Sequence, residues 1–315
     1  MVRSLLLLLL LFGTPALGQQ PAFRMVPLGV RGGLDESNLS AYLVAPAGSA
    51  DYACLDAGTV RAGVQRALAL RTFTGSADAI IRRRIRAYLL SHAHLDHVAG
   101  LLLNAPDDTS KTIYALPGCL DVIRQHYFNW QSWPNFGDAG TAPALGKYHY
   151  QALLPGAPET AVAGTALRVQ TFPLSHGAGY QSAAFLLHHQ QAYLLYLGDT
   201  GPDALEKSTR LAELWRQVAP LLKAHQLRAL CIEVSYPNEQ PDGQLFGHLT
   251  PRWLLRELAT LGELAGPETL RNLPIIVTHT KPTGDNASKI KQQLLASNSL
   301  GVRFVFPEQG RALDF

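Results

Sequence analysis

The chain has 315 residues, of which 47% are hydrophobic and 16% are charged. This composition excludes a disordered chain, and the length suits one large domain or two small ones. The 27 basic and 24 acidic residues give a formal net charge of +3 without a long basic block, which argues against binding a nucleic-acid polymer. A small anionic substrate is compatible with this balance.

The first 18 residues have the layout of a secretory signal peptide. Arg3 supplies a positive charge, residues 5–11 are all leucine, and residues 14–18 read TPALG, a small-residue cleavage signal. The apolar stretch is shorter than the roughly 20 residues that span a bilayer. The sequence therefore predicts cleavage after Gly18, a periplasmic or secreted mature chain over 19–315, and no stable membrane anchor.

The predicted elements begin with two strands, at 38–46 and 51–58, where apolar and β-branched or aromatic residues are bounded by Pro, Gly and Asp. Residues 63–85 have helical character, broken near residue 75. The apolar run 87–90 then leads directly into the sequence SHAHLDH, residues 91–97. This order predicts a histidine-rich loop at the end of a strand, where α/β folds place their sites.

Later predicted strands mostly end in a chemically capable side chain. Their ranges are 166–177, 183–189, 191–201, 227–236 and 272–282. Four of the five ends carry such a residue: His176, Asp199, Glu233 and His279. Helices are predicted at 202–224, 250–264 and 285–297. Because no composition break or internal repeat is visible, 19–315 is expected to form a single domain.

The three cysteines do not form a disulfide framework, because an odd number leaves at least one thiol unpaired. Cys54 and Cys231 each lie in an apolar, strand-like run, and Cys119 is the third. The sequence predicts buried free thiols.

The sequence HAHLDH favours a divalent metal ion such as Zn²⁺, because crowded imidazoles and a carboxylate are its usual ligands. His92 and His94 are two positions apart, so they face the same way in an extended segment, and Asp96 and His97 follow. Two histidines cannot complete a site. The remaining ligands are expected from the strand ends.

Four segments, SHAHLDHVAGL, IEVSYPN, FGHLTP and VTHTKP, together resemble the class II cyclic nucleotide phosphodiesterases of the metallo-β-lactamase superfamily. The resemblance extends from about residue 32 to residue 282. It implies an α/β fold, a four-layer αββα sandwich of the metallo-β-lactamase type. It also implies two divalent metal ions, with Zn²⁺ expected and Mn²⁺ or Fe²⁺ as alternatives.

The resemblance assigns metal ligands to two ions. One ion takes His92, His94 and His176, the other takes Asp96, His97 and His279, and Asp199 bridges them. A carboxylate can hold two ions about 3.5–4 Å apart, with a shared hydroxide that attacks phosphorus. Asp199 could instead cap the helix near residue 202, and a lone His176 or His279 would ordinarily have no ligand role. Asp56 is either a turn residue or orients a metal-bound imidazole.

A proton donor is also required, because the leaving ribose O3′ must be protonated. His248 in FGHLTP is the candidate general acid, since imidazole titrates near neutral pH. Glu233 would hold His248 and raise its pKa. This pairing resembles the proton donor of the transfer-RNA 3′ processing nucleases. The alternative is that Glu233 is an ordinary strand-end acid and His248 an ordinary polar residue before a helix.

Three further residues are candidates for substrate binding. Thr250 follows the proton-donor segment, and Lys281 could face the phosphate, although a solvated lysine is the alternative. Trp133 lies in the aromatic segment 126–136 and could stack on a purine, or the segment could pack a loop onto the domain.

The sequence thus predicts an exported phosphodiesterase that converts 3′,5′-cyclic nucleotides to 5′-monophosphates. Cyclic AMP is the expected substrate, and whether cyclic GMP is also a substrate is left open. One alternative is another phosphodiester or sulfate ester hydrolase, or a nuclease, on the same site. A second is a non-catalytic exported metal-binding protein. The oligomeric state is left open, with a homodimer as one option.

Overall fold

The computed structural model describes residues 20–177 and 179–315. The predicted signal peptide and its cleavage position lie outside these residues. Within the described ranges, we find no helix with the length and hydropathy needed to cross a membrane.

The described residues form fourteen strands and eight α-helices. The strands are β1 (Phe23–Gly29), β2 (Ala41–Pro46), β3 (Tyr52–Leu55), β4 (Ile85–Leu90), β5 (Lys111–Ala115), β6 (Tyr148–Ala152), β7 (Thr160–Ala161), β8 (Arg168–Ser175), β9 (Gln181–His189), β10 (Ala192–Leu197), β11 (Leu227–Glu233), β12 (Pro274–Thr278), β13 (Arg303–Val305) and β14 (Leu313–Asp314). The helices are α1 (Arg61–Ala69), α2 (Ala77–Arg83), α3 (Leu95–Asn104), α4 (Pro117–Val122), α5 (Asp203–Glu206), α6 (Arg210–Lys223), α7 (Pro251–Ala265) and α8 (Asn286–Ala296). A π-helical turn, Ile123–Tyr127, continues α4.

The strands form two seven-stranded sheets, in the orders β14-β1-β2-β3-β4-β5-β6 and β13-β12-β11-β10-β9-β8-β7. One apolar cluster joins the facing surfaces of the sheets, for example Met25 of β1 and Phe185 of β9. A second cluster packs α1 to α4 on the first sheet, and a third packs α6 to α8 on the other. These four layers confirm the predicted αββα sandwich.

Parallel pairing brings the functional loops to one edge. In the first sheet β3, β4 and β5 are parallel, and in the second β10, β11 and β12 are parallel. Carboxyl ends of parallel strands meet at the same edge of a sheet, where α/β folds hold their ligands. The segments after β4, β10, β11 and β12 therefore all reach the site.

Several predicted boundaries change in the structure. The histidine cluster does not lie wholly on a loop, because α3 begins at Leu95 and places Asp96 and His97 in its first turn. The single helix predicted at 202–224 is wrong: α5 and α6 are separated where Lys207 adopts a left-handed conformation with φ of 52°. All three cysteines are buried and free, as predicted.

Candidate metal centre

Asp199 lies at the centre of the site, two residues after the end of β10. Its Oδ2 is 3.1 Å from His279 Nε2 and 3.3 Å from His97 Nε2. The same oxygen is 3.8 Å from His176 Nε2 and 3.9 Å from His92 Nε2. The helix that follows has Pro202 as its N-cap and no side-chain cap, so the capping alternative finds no support.

All seven predicted metal ligands come together around this carboxylate. Their ligand atoms fall into overlapping groups in which every pair lies within 4.8 Å: His92, His94 and His176; Asp96, His97 and His279; His92, His97 and Asp199. Glu233 and His248 form another such group with Asp199 and His279. The first two groups are those that the resemblance assigned to separate ions.

The chemistry of these residues fits divalent metal ions. His97 is 1% exposed, and its Nε2 has no hydrogen-bond partner among the described residues although Asp199 Oδ2 is nearby. A buried polar atom without a partner is unfavourable, and an ion held between imidazole and carboxylate would remove that penalty. Mixed imidazole and carboxylate ligands suit Zn²⁺ and related ions.

Burial keeps several of the imidazoles neutral, which is the form that binds metals. Burial lowers the pKa of His92, and the neighbouring His97 lowers it further. Burial also lowers the pKa of His176 to about 4. For Asp199, burial acts to raise the pKa, but the electrostatic influence of the neighbouring His279 and His97 outweighs burial and holds the pKa of the carboxyl well below its usual range.

Asp56 orients His97 from the side opposite the metal site. This fully buried carboxylate accepts hydrogen bonds from His97 Nδ1 at 2.8 Å, Ser91 N at 2.7 Å, Ser91 Oγ at 2.9 Å and Tyr196 OH at 2.6 Å. With Nδ1–H donated to Asp56, Nε2 of His97 keeps its lone pair for a metal. The geometry favours the orienting role, and Asp56 adopts a left-handed backbone conformation, with φ of 52°, directly after β3.

His279 is held in an unusual backbone conformation after β12. Its φ is 54°, in the left-handed region that non-glycine residues rarely adopt. The backbone of Gly32 packs directly on the imidazole, since a Cβ at residue 32 would lie 2.4 Å from ring atoms. Nε2 of His279 is 3.1 Å from Asp96 Oδ2. The close approach of Gly32 fixes the ring between the two carboxylates.

The predicted proton-donor pair is formed. His248 Nδ1 lies 2.7 Å from Glu233 Oε1, and Glu233 is fully buried while His248 is 5% exposed. Glu233 Oε1 also accepts the Thr200 backbone N–H at 3.0 Å. Burial alone would lower the pKa of His248, but the adjacent Glu233 carboxylate outweighs it and raises the pKa. This arrangement favours a protonated imidazole next to Asp199, whose Oδ2 is 3.9 Å from His248 Nδ1.

The three predicted substrate residues occupy different settings. Lys281 Nζ and Asp96 Oδ2 both lie beside Gly33, 4.0 and 3.9 Å from where its Cβ would be. The positive charge of Lys281 acts to lower the pKa of His248, so the ammonium group is close enough to influence the proposed proton donor. Thr250 is fully buried, and its Oγ1 has no hydrogen-bond partner among the described residues. Its substrate contact stays a prediction.

Trp133 lines an apolar groove next to the metal ligands. The groove is about 350 Å³ and includes Leu95, which stands between two predicted ligands, together with Leu103 and Tyr127. Leu95 is 60% and Leu103 69% exposed. The aromatic segment therefore both packs on α3 and leaves an apolar surface beside the site.

Sequence reasoning missed three residues that support the ligands. Tyr180 stacks on His94 with ring centroids 4.6 Å apart and 12° between the planes. Tyr127, at the end of the π-helical turn, donates a hydrogen bond of 2.8 Å to Ala93 O. Ser235 contacts both His279 and Glu233. Only Ser235 had a sequence signal, because residues two apart in an extended segment face the same side.

The fold and this site define a metallo-β-lactamase-type metal-binding protein. The metallo-β-lactamase fold protein YhfI from Bacillus subtilis superposes with a TM-score of 0.61 at 16% identity, covering 93% of this chain and 99% of that one. The unliganded structure of yeast PDE1 superposes with a TM-score of 0.83 at 23% identity, covering 94% of this chain and 100% of that one.

The family follows from the sequence comparison. Residues 23–310 match the family model of the class II cAMP phosphodiesterases. The 3′,5′-cyclic-nucleotide phosphodiesterase of Aliivibrio fischeri is 41% identical over 94% of this chain and 94% of its own length. The chain belongs to the class II cAMP phosphodiesterase family, which confirms the resemblance noted in the sequence.

Proposed function

We propose that the chain hydrolyses 3′,5′-cyclic nucleotides, cyclic AMP first among them, to 5′-monophosphates. The observation that carries this proposal is the buried His248–Glu233 pair, 2.7 Å apart, beside the cluster of metal ligands. A cyclic phosphodiester needs charge neutralisation at phosphorus and a proton on the departing oxygen, and these two features supply both. Family membership and the name of the Aliivibrio fischeri relative support the same reaction.

The ligand set is proposed to hold two divalent ions, with Asp199 between them. When bound, such ions neutralise charge on the phosphate oxygens and provide a nucleophile at neutral pH by lowering the pKa of water. Zn²⁺ is the proposed ion, since five imidazoles and two carboxylates make up the donor set, and Mn²⁺ or Fe²⁺ are the alternatives.

The proton donor is proposed to be His248. Its Nδ1–H is donated to Glu233, so the proton available for transfer is the one on Nε2. As the bond between phosphorus and O3′ breaks, Nε2–H protonates O3′, which leaves the imidazole neutral and the nucleotide with a free 3′-hydroxyl. Glu233 does not give up a proton; its charge stabilises the imidazolium before transfer.

Substrate contacts are proposed for two residues. Lys281 would bind a phosphate oxygen through its ammonium group, which lies beside Gly33, as the ligand Asp96 does. The purine would stack in the groove beside Trp133, because an apolar and aromatic surface next to the phosphate site suits the flat face of a base.

The product identifies the reaction. Purified protein should convert cyclic AMP to 5′-AMP, resolved from 3′-AMP by chromatography. Cleavage of bis(4-nitrophenyl) phosphate without cleavage of cyclic AMP would support another phosphodiesterase or a nuclease. Stoichiometric metal binding without turnover of either compound would support the non-catalytic alternative.

Export is proposed from the composition of residues 1–18 alone. N-terminal sequencing of the natural protein should begin at Gln19, and cell fractionation should place the activity outside the cytosol. An uncleaved protein that is active only in the cytosol would contradict this proposal.

A further inference from the structure

Ser235 lies between the metal ligands and the proton donor. It follows Glu233 by two residues and is fully buried. Its backbone N–H donates to Leu249 O at 3.1 Å, next to His248, and its carbonyl accepts from Lys281 N at 3.2 Å, two residues after His279. The backbone of Ser235 is thus fixed to both segments.

The Ser235 hydroxyl has three polar neighbours but only one proton. Oγ is 2.6 Å from Glu233 Oε2, 2.9 Å from His279 Nδ1 and 3.1 Å from His279 O. A hydrogen bond to a carboxylate is shorter and stronger than one to a neutral carbonyl, so the proton goes to Glu233. Oγ then accepts the Nδ1–H of His279.

This assignment fixes the tautomer of His279. With its proton on Nδ1, the ring keeps a lone pair on Nε2, the atom that lies 3.1 Å from both Asp96 Oδ2 and Asp199 Oδ2. Partners of this kind orient metal-bound histidines and raise their basicity. Ser235 does for His279 what Asp56 does for His97.

The hydrogen bonds form one continuous chain. His279 donates to Ser235, Ser235 donates to Glu233 Oε2, and His248 donates to Glu233 Oε1. Both imidazoles direct Nδ1–H into this chain, and their rings stack with centroids 5.2 Å apart and 24° between the planes. A change in the protonation or position of either histidine can therefore affect the other through the Ser235 hydroxyl and the Glu233 carboxylate.

We propose that Ser235 is a positioning residue that couples the metal ligand His279 to the proton donor His248 through Glu233. The His248 half of this inference rests on the proposed function, whereas the His279 half concerns metal binding alone. A serine that only filled space would affect neither metal binding by His279 nor proton donation by His248.

The test compares apo proteins carrying Ser235→Ala, Ser235→Thr and Ser182→Ala. Ser182 is a matched control, because it is fully buried and its Oγ has no hydrogen-bond partner among the described residues. Zn²⁺ affinity is measured by competition with a chromophoric chelator. Turnover of cyclic AMP and of bis(4-nitrophenyl) phosphate is then measured at saturating Zn²⁺, since nitrophenolate leaves without needing a proton.

Ser235→Ala should bind Zn²⁺ about 10- to 100-fold more weakly, while Ser182→Ala binds like the wild type and Ser235→Thr recovers part of the loss. The ratio of cyclic AMP to bis(4-nitrophenyl) phosphate turnover should fall toward that of His248→Ala. Wild-type Zn²⁺ affinity in Ser235→Ala, or an unchanged ratio, overturns the proposal. If the wild type does not cleave cyclic AMP, the proposed function fails. The comparison of Zn²⁺ affinities still decides whether Ser235 positions His279.

Nitrogen NMR of the histidine side chains in the Zn²⁺-loaded wild type tests the same arrangement without relying on the folding of Ser235→Ala. The His279 signals are assigned from the spectrum of His279→Gln. The proposal requires a proton on Nδ1 of His279, and a proton on Nε2 would overturn it.

Discussion

Replacing Asp56 with asparagine should weaken Zn²⁺ binding while the protein still folds. Asparagine keeps the shape of the side chain and can still accept from Ser91 N, but it places an amide NH₂ where the His97 Nδ1–H now donates. The hydroxyls of Ser91 and Tyr196 can rotate to accept from this NH₂. His97 can respond only by moving its proton to Nε2, which removes the lone pair that the metal needs.

The expected loss is about 10- to 100-fold in Zn²⁺ affinity, equivalent to about 1.4–2.7 kcal/mol. Asp56→Ala should be much worse for folding, because it leaves four buried donors without an acceptor, each costing about 1–3 kcal/mol when unpaired. The assay is chelator competition with apo protein, together with thermal melting of the apo form.

Asp108 provides a matched control for this comparison. It is 5% exposed and accepts from Tyr88 OH and Tyr148 OH, each at 2.9 Å, and it pairs with the buried Lys111. Asp108→Asn should lower the melting temperature, because Lys111 loses its charge partner, yet leave Zn²⁺ affinity unchanged. If folded Asp56→Asn binds Zn²⁺ as tightly as the wild type, the argument about the tautomer of His97 is wrong.

His248→Ala should lower cyclic AMP turnover by about 10²- to 10⁴-fold at unchanged metal content, because the proton donor is lost; wild-type turnover would exclude this role. Trp133→Ala should raise KM for cyclic AMP about 5- to 150-fold, the equivalent of about 1–3 kcal/mol of base stacking, and spare bis(4-nitrophenyl) phosphate; equal effects on both would refute stacking. Burial raises the pKa of Glu257, so its ionisation destabilises the fold above the folded-state pKa and has no effect below the unfolded value. Glu257→Gln should therefore raise the melting temperature near pH 8 but not near pH 4, and an equal effect at both would contradict this.

The sequence allowed prediction of the ligands because each follows a recognisable strand or belongs to the HAHLDH segment. Alternation between neighbouring residues explains why His92 and His94 face one site. The strand ends at His176, Asp199 and His279 could be assigned only through the family resemblance. Their convergence depends on which strands pair in parallel, and that pairing is set by long-range packing.

The supporting residues were harder to predict from the sequence. Tyr180 reaches His94 from its position directly before β9, and Tyr127 reaches Ala93 from a π-helical turn. Neither geometry follows from hydrophobic periodicity. The start of α3 within the histidine segment was missed because no Ser, Thr, Asp or Asn occupies its N-cap, which is His94.

The central claim is that phosphodiester hydrolysis depends on the ligand set around Asp199 and on the divalent ions that this set would hold. The most direct measurement is the rate of 5′-AMP formation from cyclic AMP as Zn²⁺ is added stepwise to metal-free protein, beside Asp199→Ala. Activity should rise with added metal and level off at two ions per chain, and the variant should stay inactive. Full activity in the metal-free protein, or no 5′-AMP with two ions bound, would contradict the account.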